Sequence, residues 1–493
     1  MKIIPLKVVP GSPAAAGSPA AAGEAPETEV SLYEVRKKIY PRAIHGLFAG
    51  WRWALVWFTQ LLFYGVPWLT WNARPAVLFD LEARRFYLFG VVLYPQDFVY
   101  LTGLLVISAL SLFLFTAVAG RLWCGFACPQ TVYTEIFMWI ERKVEGDRNA
   151  RMKLDRAPLS AAKLARKGTK QLLWIALALW TGITFAGYFT PITTLLGQIA
   201  AFALGPWQLF WVLFYAFATY GNAGFMREQV CKYMCPYARF QSVMVDPDTL
   251  IVTYDRSRGE PRGVRSKKVD AMAAKKGDCV DCNICVQVCP TGIDIRKGLQ
   301  YECIGCAACI DVCNGVMERM DYPQGLIRYD TQNGMAQHLN RSQLLRRALR
   351  PRVLVYASVL VLILGALGTS LALRSPFKVD VVRDRGALAR LVEDGWVENV
   401  YRLQLMNTTE RVQRYRIRAG GLDGLRTDLG DTVIAVDPAQ ARWVPVAARV
   451  APEVAAAAGR GSHPIEFTVE RLVDTPADAP KSLVEHSTFV VPR

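Results

Sequence analysis

The sequence predicts a multi-domain membrane protein: a five-helix α transmembrane region, a cysteine-rich α+β domain on one side of it, and an all-β domain at the C-terminus. Three observations predict it. Five apolar stretches, each free of Asp, Glu, Lys and Arg, approach the roughly 20 residues that a helix needs to cross a bilayer. The segments joining them alternate between many and few Lys/Arg. All twelve cysteines fall between Cys124 and Cys313, and the C-terminal region has none. With 493 residues, 52% hydrophobic and 20% charged, the chain has room for several domains and is too apolar for an ordinary soluble enzyme.

The elements follow in order. Residues 1–46 form a cytoplasmic arm whose Gly/Ser/Pro/Ala stretch at 11–27 predicts disorder. The start, MKIIPLKVVP, is too short for a signal-peptide core, so the first span is expected to act as the insertion signal. Residues 47–245 hold four spans, predicted at Trp53–Trp71, Phe98–Ala119, Gln171–Thr190 and Pro206–Met226, and residues 351–374 hold a fifth at Val353–Leu373. Lys/Arg number seven before the first span, three between the first two, eleven over 121–170, none between spans three and four, and twenty over 227–352. This positive-inside alternation places the N-terminus and residues 246–350 in the cytoplasm and residues 375–493 outside. The net charge of +16 is therefore mostly topological, and no motif supports nucleic-acid binding.

Cysteines clustered on a reducing side read as metal ligands or redox groups. The strongest signal is Cys279-x2-Cys282-x2-Cys285-x3-Cys289-Pro290, followed by Cys303-x2-Cys306-x2-Cys309-x3-Cys313. This is the two-cluster ferredoxin run, written twice. Three thiolates at triplet spacing curl round one cube, and the fourth, after a longer gap, serves the other. One [4Fe–4S] cluster would take Cys279, Cys282, Cys285 and Cys313; the second would take Cys303, Cys306, Cys309 and Cys289. Structural zinc competes, but it usually pairs two short Cys-x2-Cys units. Asn314 replaces the proline of the second run without changing the ligand count. Ile284, Val286, Val288, Ile304 and Ile310 would keep water from the clusters or serve as ordinary core.

The other four cysteines form two matched motifs, Trp123-Cys124-Gly-Phe-Ala-Cys128-Pro129-Gln130 after span two and Cys231-Lys-Tyr-Met-Cys235-Pro236-Tyr237 after span four. Each proline suits the first turn of a helix, which puts Cys128 and Cys235 at N-caps, where the dipole favours thiolate. The two pairs are expected to converge into a four-thiolate site for Cu(I), zinc or iron–sulfur, with Met234 as an added thioether. Four buried thiols acting as small hydrophobes are the plain alternative.

These motifs, with Glu-Arg-Lys-Val-Glu-Gly-Asp at 141–147, resemble the cytochrome c oxidase accessory protein family of the FixG, RdxA or CcoG type over nearly the whole chain. The resemblance implies a bacterial inner-membrane cupric reductase that turns Cu(II) into Cu(I) for assembly of cbb-type oxidase. It makes Cys124, Cys128, Cys231 and Cys235 candidates for the copper-handling site. It implies partners among oxidase assembly factors or a copper chaperone or transporter, with a second copy of the chain left open. It also implies a periplasmic immunoglobulin-like domain, and Val400–Met406, RYRIRA, ARWVPVAARV, IEFTVERLV and STFVVP read as its strands. An electron relay to quinone or a membrane partner, and a non-catalytic scaffold, stand as rival functions. A metal transporter is disfavoured because no span carries an ionisable residue, and His45 alone cannot ligate two haems. With no dinucleotide fingerprint, an unidentified electron donor is required.

Overall fold

The computed structural model describes residues 38–72, 74–266, 275–384, 386, 389–472 and 481–492. The low-complexity stretch at 11–27 lies outside the described residues. A helix stands at each of the five apolar stretches: Leu47–Gly65, Phe98–Ala119, Ala161–Ala186, Pro206–Thr219 (continuing as a π-helix over Tyr220–Met226) and Pro351–Ala372. Three of them, at Pro95–Ala119, Pro206–Met226 and Pro351–Ala372, are long and apolar enough to cross a membrane. The first falls short through Arg52 and three tryptophans, and the third through the four Lys/Arg in its first ten residues.

The first helix begins and ends before the predicted Trp53–Trp71. Its start is fixed from another domain: the Asp311 carboxylate accepts the free N–H groups of Phe48 (3.1 Å) and Ala49 (2.7 Å). Its end comes at Gly65, where Pro67 converts the chain to a 3₁₀ turn over Val66–Trp68. The third helix starts at Ala161 because Ser160 caps it, accepting from the Lys163 N–H.

All long connections rich in Lys/Arg meet at one end of the bundle. There Ile251–Tyr254 pairs antiparallel with Ile327–Asp330, and with the helices Ile284–Gln287 and Ala308–Arg319 it builds the eight-cysteine α+β domain. At the other end residues 377–491 form a β-sandwich. One sheet runs Arg426–Thr427, Ala441–Val450, Val397–Asn407, Phe377–Arg383, with Arg390–Leu391 beside it; the other runs Ile434–Val436, Gln413–Gly420, Gly461–Leu472, Ser482–Val491. The alternating inward residues, Tyr401, Leu403, Leu405, Tyr415, Ile417, Phe467, Val469 and Phe489, are its core.

Two features of this end were not predicted. The connection after the first helix folds into a small antiparallel sheet (Val77–Asp80, Arg85–Leu88, Val91–Leu93), and its Leu78, Tyr87 and Val92 share a core with Met406 and Ala439 of the sandwich. Buried Asp97, at the start of the second helix, holds both Arg374 and Lys378 at 2.5 Å where the last helix leaves the bundle. The sandwich is thus seated on the helices by packing and by charge.

Candidate iron–sulfur and thiol sites

The two cysteine runs fold alike. Each has left-handed residues at the same two places: Asp281 (φ 49°) and Asn283 (φ 55°) in the first, Gly305 (φ 68°) and Ala307 (φ 57°) in the second. Two such residues flanking the middle cysteine bend the chain so that three thiols face one centre. Ala307 adopts this conformation without glycine's freedom, a cost of about 1 kcal/mol that the loop tolerates at a functional turn. A helix then starts in each run, at Ile284 and at Ala308. In the first it stops at Gln287, ahead of Pro290; in the second Asn314 lets it continue to Arg319 and its side chain accepts from the Gly325 N–H (3.0 Å).

The crosswise grouping is present. Cys279, Cys282, Cys285 and Cys313 line one pocket walled by Val280, Ile284, Val312, Val316, Met317 and Leu326. Cys289 is the electrostatic neighbour of Cys303, Cys306 and Cys309. Val288, Ile304 and Ile310 are buried round them, with Ile284 and Val286 packed alongside. Burial pushes the Cys303 and Cys313 thiols up to about 12 and Cys285 up to about 11. Buried thiols so disposed are costly as bare thiolates and suited to a cationic iron core that neutralises them. The residues fit [4Fe–4S] centres.

The second set assembles from segments a hundred residues apart. Cys128 caps the helix Pro129–Glu145, and Cys235 caps Pro236–Met244, as predicted. Cys231 has Cys128, Cys124 and Cys235 as its electrostatic neighbours, so the four thiols form one group. The thiolate character predicted for Cys128 is not met. Burial pushes Cys124 up to about 11 and Cys231 up to about 12, and it raises Cys128 although the Gln130 and Thr131 backbone N–H groups oppose it. Desolvation outweighs the helix terminus here. Met234 stands exposed beside them.

Sequence reasoning missed the residues that hold this quartet. The fully buried Gln241 places its amide 3.5 Å from the Cys124 sulfur. The Gln130 side chain donates to the carbonyls of Asn222 (3.0 Å) and Arg227 (3.1 Å), tying the first motif to the π-helical segment that precedes the second. Glu141, buried in the helix after Cys128, accepts from Arg151 (2.9 Å) and from Arg227 (3.0 Å), four residues before Cys231. Glu145 holds Lys170 (2.9 Å) and Lys167 (3.0 Å). Gln130 and both glutamates lie inside the segments singled out from sequence, and Gln241 four residues beyond the second motif, so the signal was there as residue type but not as partner.

The two sets touch. Cys124 and Cys231 pack against Val288, Ile304, Cys306 and Ala308. A β-carbon on Gly125 would sit 2.7 Å from the Cys306 nitrogen and α-carbon, so only glycine permits this approach. Arg52, buried in the first helix, faces Cys306, Glu135 and Asp311.

Two four-cysteine groups, membrane-length apolar helices and a C-terminal β-sandwich define a membrane-associated iron–sulfur protein of the electron-transfer class. Comparison with known proteins agrees: a 4Fe-4S dicluster domain model matches residues 226–332, a 4Fe-4S binding domain model matches 101–145, and a model described as an IG-like fold at the C-terminal of FixG matches 367–492. The chain is 40% identical to nitrogen fixation protein FixG of Rhizobium meliloti, over 76% of this chain and 78% of that one. It is 38% identical to proteins RdxA (81% and 85% covered) and RdxB (90% and 93% covered) of Cereibacter sphaeroides. A crystal structure of a FixG-related protein from Vibrio parahaemolyticus aligns with 24% of this chain and 97% of its own at 24% identity, with a TM-score of 0.19. The chain belongs to the FixG/RdxA family.

Proposed function

We propose that the protein is a membrane-bound cupric reductase serving assembly of a cbb-type oxidase, with the four Cys-x3-Cys-Pro thiols as the copper-handling site. The carrying observation is the contact of Cys124 and Cys231 with the loop of Cys306. Cys279, Cys282, Cys285 and Cys313 would hold one cluster, and Cys303, Cys306, Cys309 and Cys289 the other; bound there, the clusters supply one-electron storage. The Gly125–Cys306 contact gives electrons a short path to the quartet, where soft thiols favour Cu(I) over Cu(II). Each Cu(II) takes one electron and no proton. Gln130, Gln241 and Glu141 keep the two thiol pairs together through the change.

The Lys/Arg distribution supports five spans, with the eight-cysteine domain cytoplasmic and the sandwich periplasmic, where it would meet copper chaperones or assembly factors. A second reading, an electron relay that does not bind copper, draws on the absence of a converged single-ion site among the described residues. The test is anaerobic Cu(II) reduction by chemically reduced protein. A variant with Ser at Cys124, Cys128, Cys231 and Cys235 should keep its iron and lose copper binding and reduction; wild-type rates from that variant would leave the relay reading in front.

A further inference from the structure

The two four-cysteine groups have opposite surroundings. The Cys303 group faces inward, against the quartet and Arg52. The Cys279 group reaches the surface: Cys282 is exposed, and the other eleven cysteines are buried or half-buried. A centre at the protein edge is where an external carrier can deliver an electron, because transfer falls off steeply with distance.

The surface round Cys282 has a definite sign. The carboxylates of the segments at this surface are paired: Asp281 with Arg296 (2.5 Å) and Arg262 (3.9 Å), Asp294 with Arg296 (2.8 Å), Asp278 with Arg258 (2.5 Å) and Glu260 with Arg262 (3.8 Å). Arg256, Lys276 and Lys297 have no ion-pair partner among the described residues. All three lie close by. The 256–263 segment runs along the first cysteine run, with the Gly263 N–H donating to the Cys279 carbonyl at 3.2 Å. The Lys276 amine lies against Gly263, and Arg256 approaches Gly298, next to Lys297.

We propose that this basic face round Cys282 docks a small acidic protein carrying a single-electron centre, the donor that the chain itself does not contain. The proposal rests on the assignment of Cys279, Cys282, Cys285 and Cys313 to a cluster. In the step, the donor's centre is oxidised by one electron and the cluster at these four cysteines is reduced by one; no proton moves and no bond changes. Unpaired cations at the rim steer an acidic partner and speed encounter without a large interface. An anionic lipid surface would answer the same charges, so the assay must lack one.

The experiment uses full-length holoprotein in nanodiscs of uncharged lipid, with photoreduced acidic [2Fe–2S] ferredoxin as probe and reduced methyl viologen, a small cation, as control. The rate of cluster reduction by ferredoxin should fall about 10-fold or more from low salt to about 0.5 M. The triple variant Arg256→Glu, Lys276→Glu, Lys297→Glu should lose about 10-fold at low salt, and Lys276→Gln with Lys297→Gln about 3-fold, by weakened steering. Viologen should reduce every variant no more slowly than wild type, with iron content unchanged. An unchanged ferredoxin rate in iron-replete variants, a salt-independent rate, or equal slowing with viologen overturns the proposal. Zinc or no metal at the eight cysteines would instead fell the cluster assignment on which it rests.

Discussion

The eight-cysteine domain and the Cys-x3-Cys-Pro quartet are both four-thiol chemistry, yet they are built in different ways. In the domain, spacing within a run of a few residues and two left-handed turns aim three thiols at one point, and the other run supplies the fourth. In the quartet, nothing local brings Cys124 and Cys128 to Cys231 and Cys235. Helix packing does it, locked by Gln130, Gln241 and the Glu141–Arg227 pair. A site of the first kind survives changes elsewhere; one of the second kind depends on residues far from its sulfurs.

The largest expected effect separates the sets by metal. Anaerobically prepared protein should carry about eight irons, from eight thiolates in two cubes. Cys282→Ala or Cys309→Ala should bring this to about four and abolish the magnetic interaction of paired clusters, and Cys128→Ala should leave both intact. About twelve irons, falling on replacement of the quartet, would mean that the quartet holds a cluster too. The contrast between the sets would then be one of assembly only.

Next in size is Glu141→Ala, which strands Arg151 and Arg227 in a buried site and should destabilise the helical end by about 3–5 kcal/mol. Iron content should be retained while the quartet thiols become open to alkylation. Thermal unfolding and thiol labelling read the two outcomes separately. If iron is lost with the same midpoint as the quartet, the two sets are one cooperative unit and the contrast fails.

What was legible in the sequence divides along the same line. Both cysteine runs, the crosswise grouping and the N-cap positions of Cys128 and Cys235 follow from spacing, which acts over a few residues. The sandwich strands were readable from alternation, although Phe377–Arg383, directly after the last helix, was not recognised. Partners across the fold were not legible. Asp311 caps the first helix from 262 residues away, and Asp97 binds Arg374 from 277 away; as sequence, each is an ordinary acidic residue. The thiolate expectation at Cys128 failed for a related reason: the dipole is local and readable, but the burial that overrides it is tertiary.

The contact between the sets supplies a sharper, smaller test. Gly125→Ala places a methyl 2.7 Å from the Cys306 backbone, so one segment must move, at a cost of about 1–3 kcal/mol. Gly315→Ala, in the helix that carries Cys313, meets nothing within 4 Å and should stabilise by about 0.5–1 kcal/mol. Iron should be full in both. Only Gly125→Ala should slow Cu(II) reduction, measured against a cluster reduced beforehand; equal rates would place the electron path elsewhere.

The smallest effect is expected at Arg52, and it tests whether the inward group is tuned from the first helix. The guanidinium is buried beside Cys306, with its Nε lacking a hydrogen-bond partner in the protein. A positive charge there favours the form of the centre that carries the extra electron, and hydrogen bonds to ligand sulfurs act in the same direction. Arg52→Gln keeps the polar reach and removes the charge. A charged hydrogen bond is worth about 1.5 kcal/mol, and for one electron that corresponds to about 60 mV. A redox titration followed by electron paramagnetic resonance should therefore find one of the two centres lowered by about that amount and the other unmoved. Because Cys282 and its three partners lie away from Arg52, the unmoved centre must be the one that Cys282→Ala removes. A shift of both centres would point to a general loosening of the domain, and a shift of neither would leave Arg52 as a purely structural partner of Glu135 and Asp311.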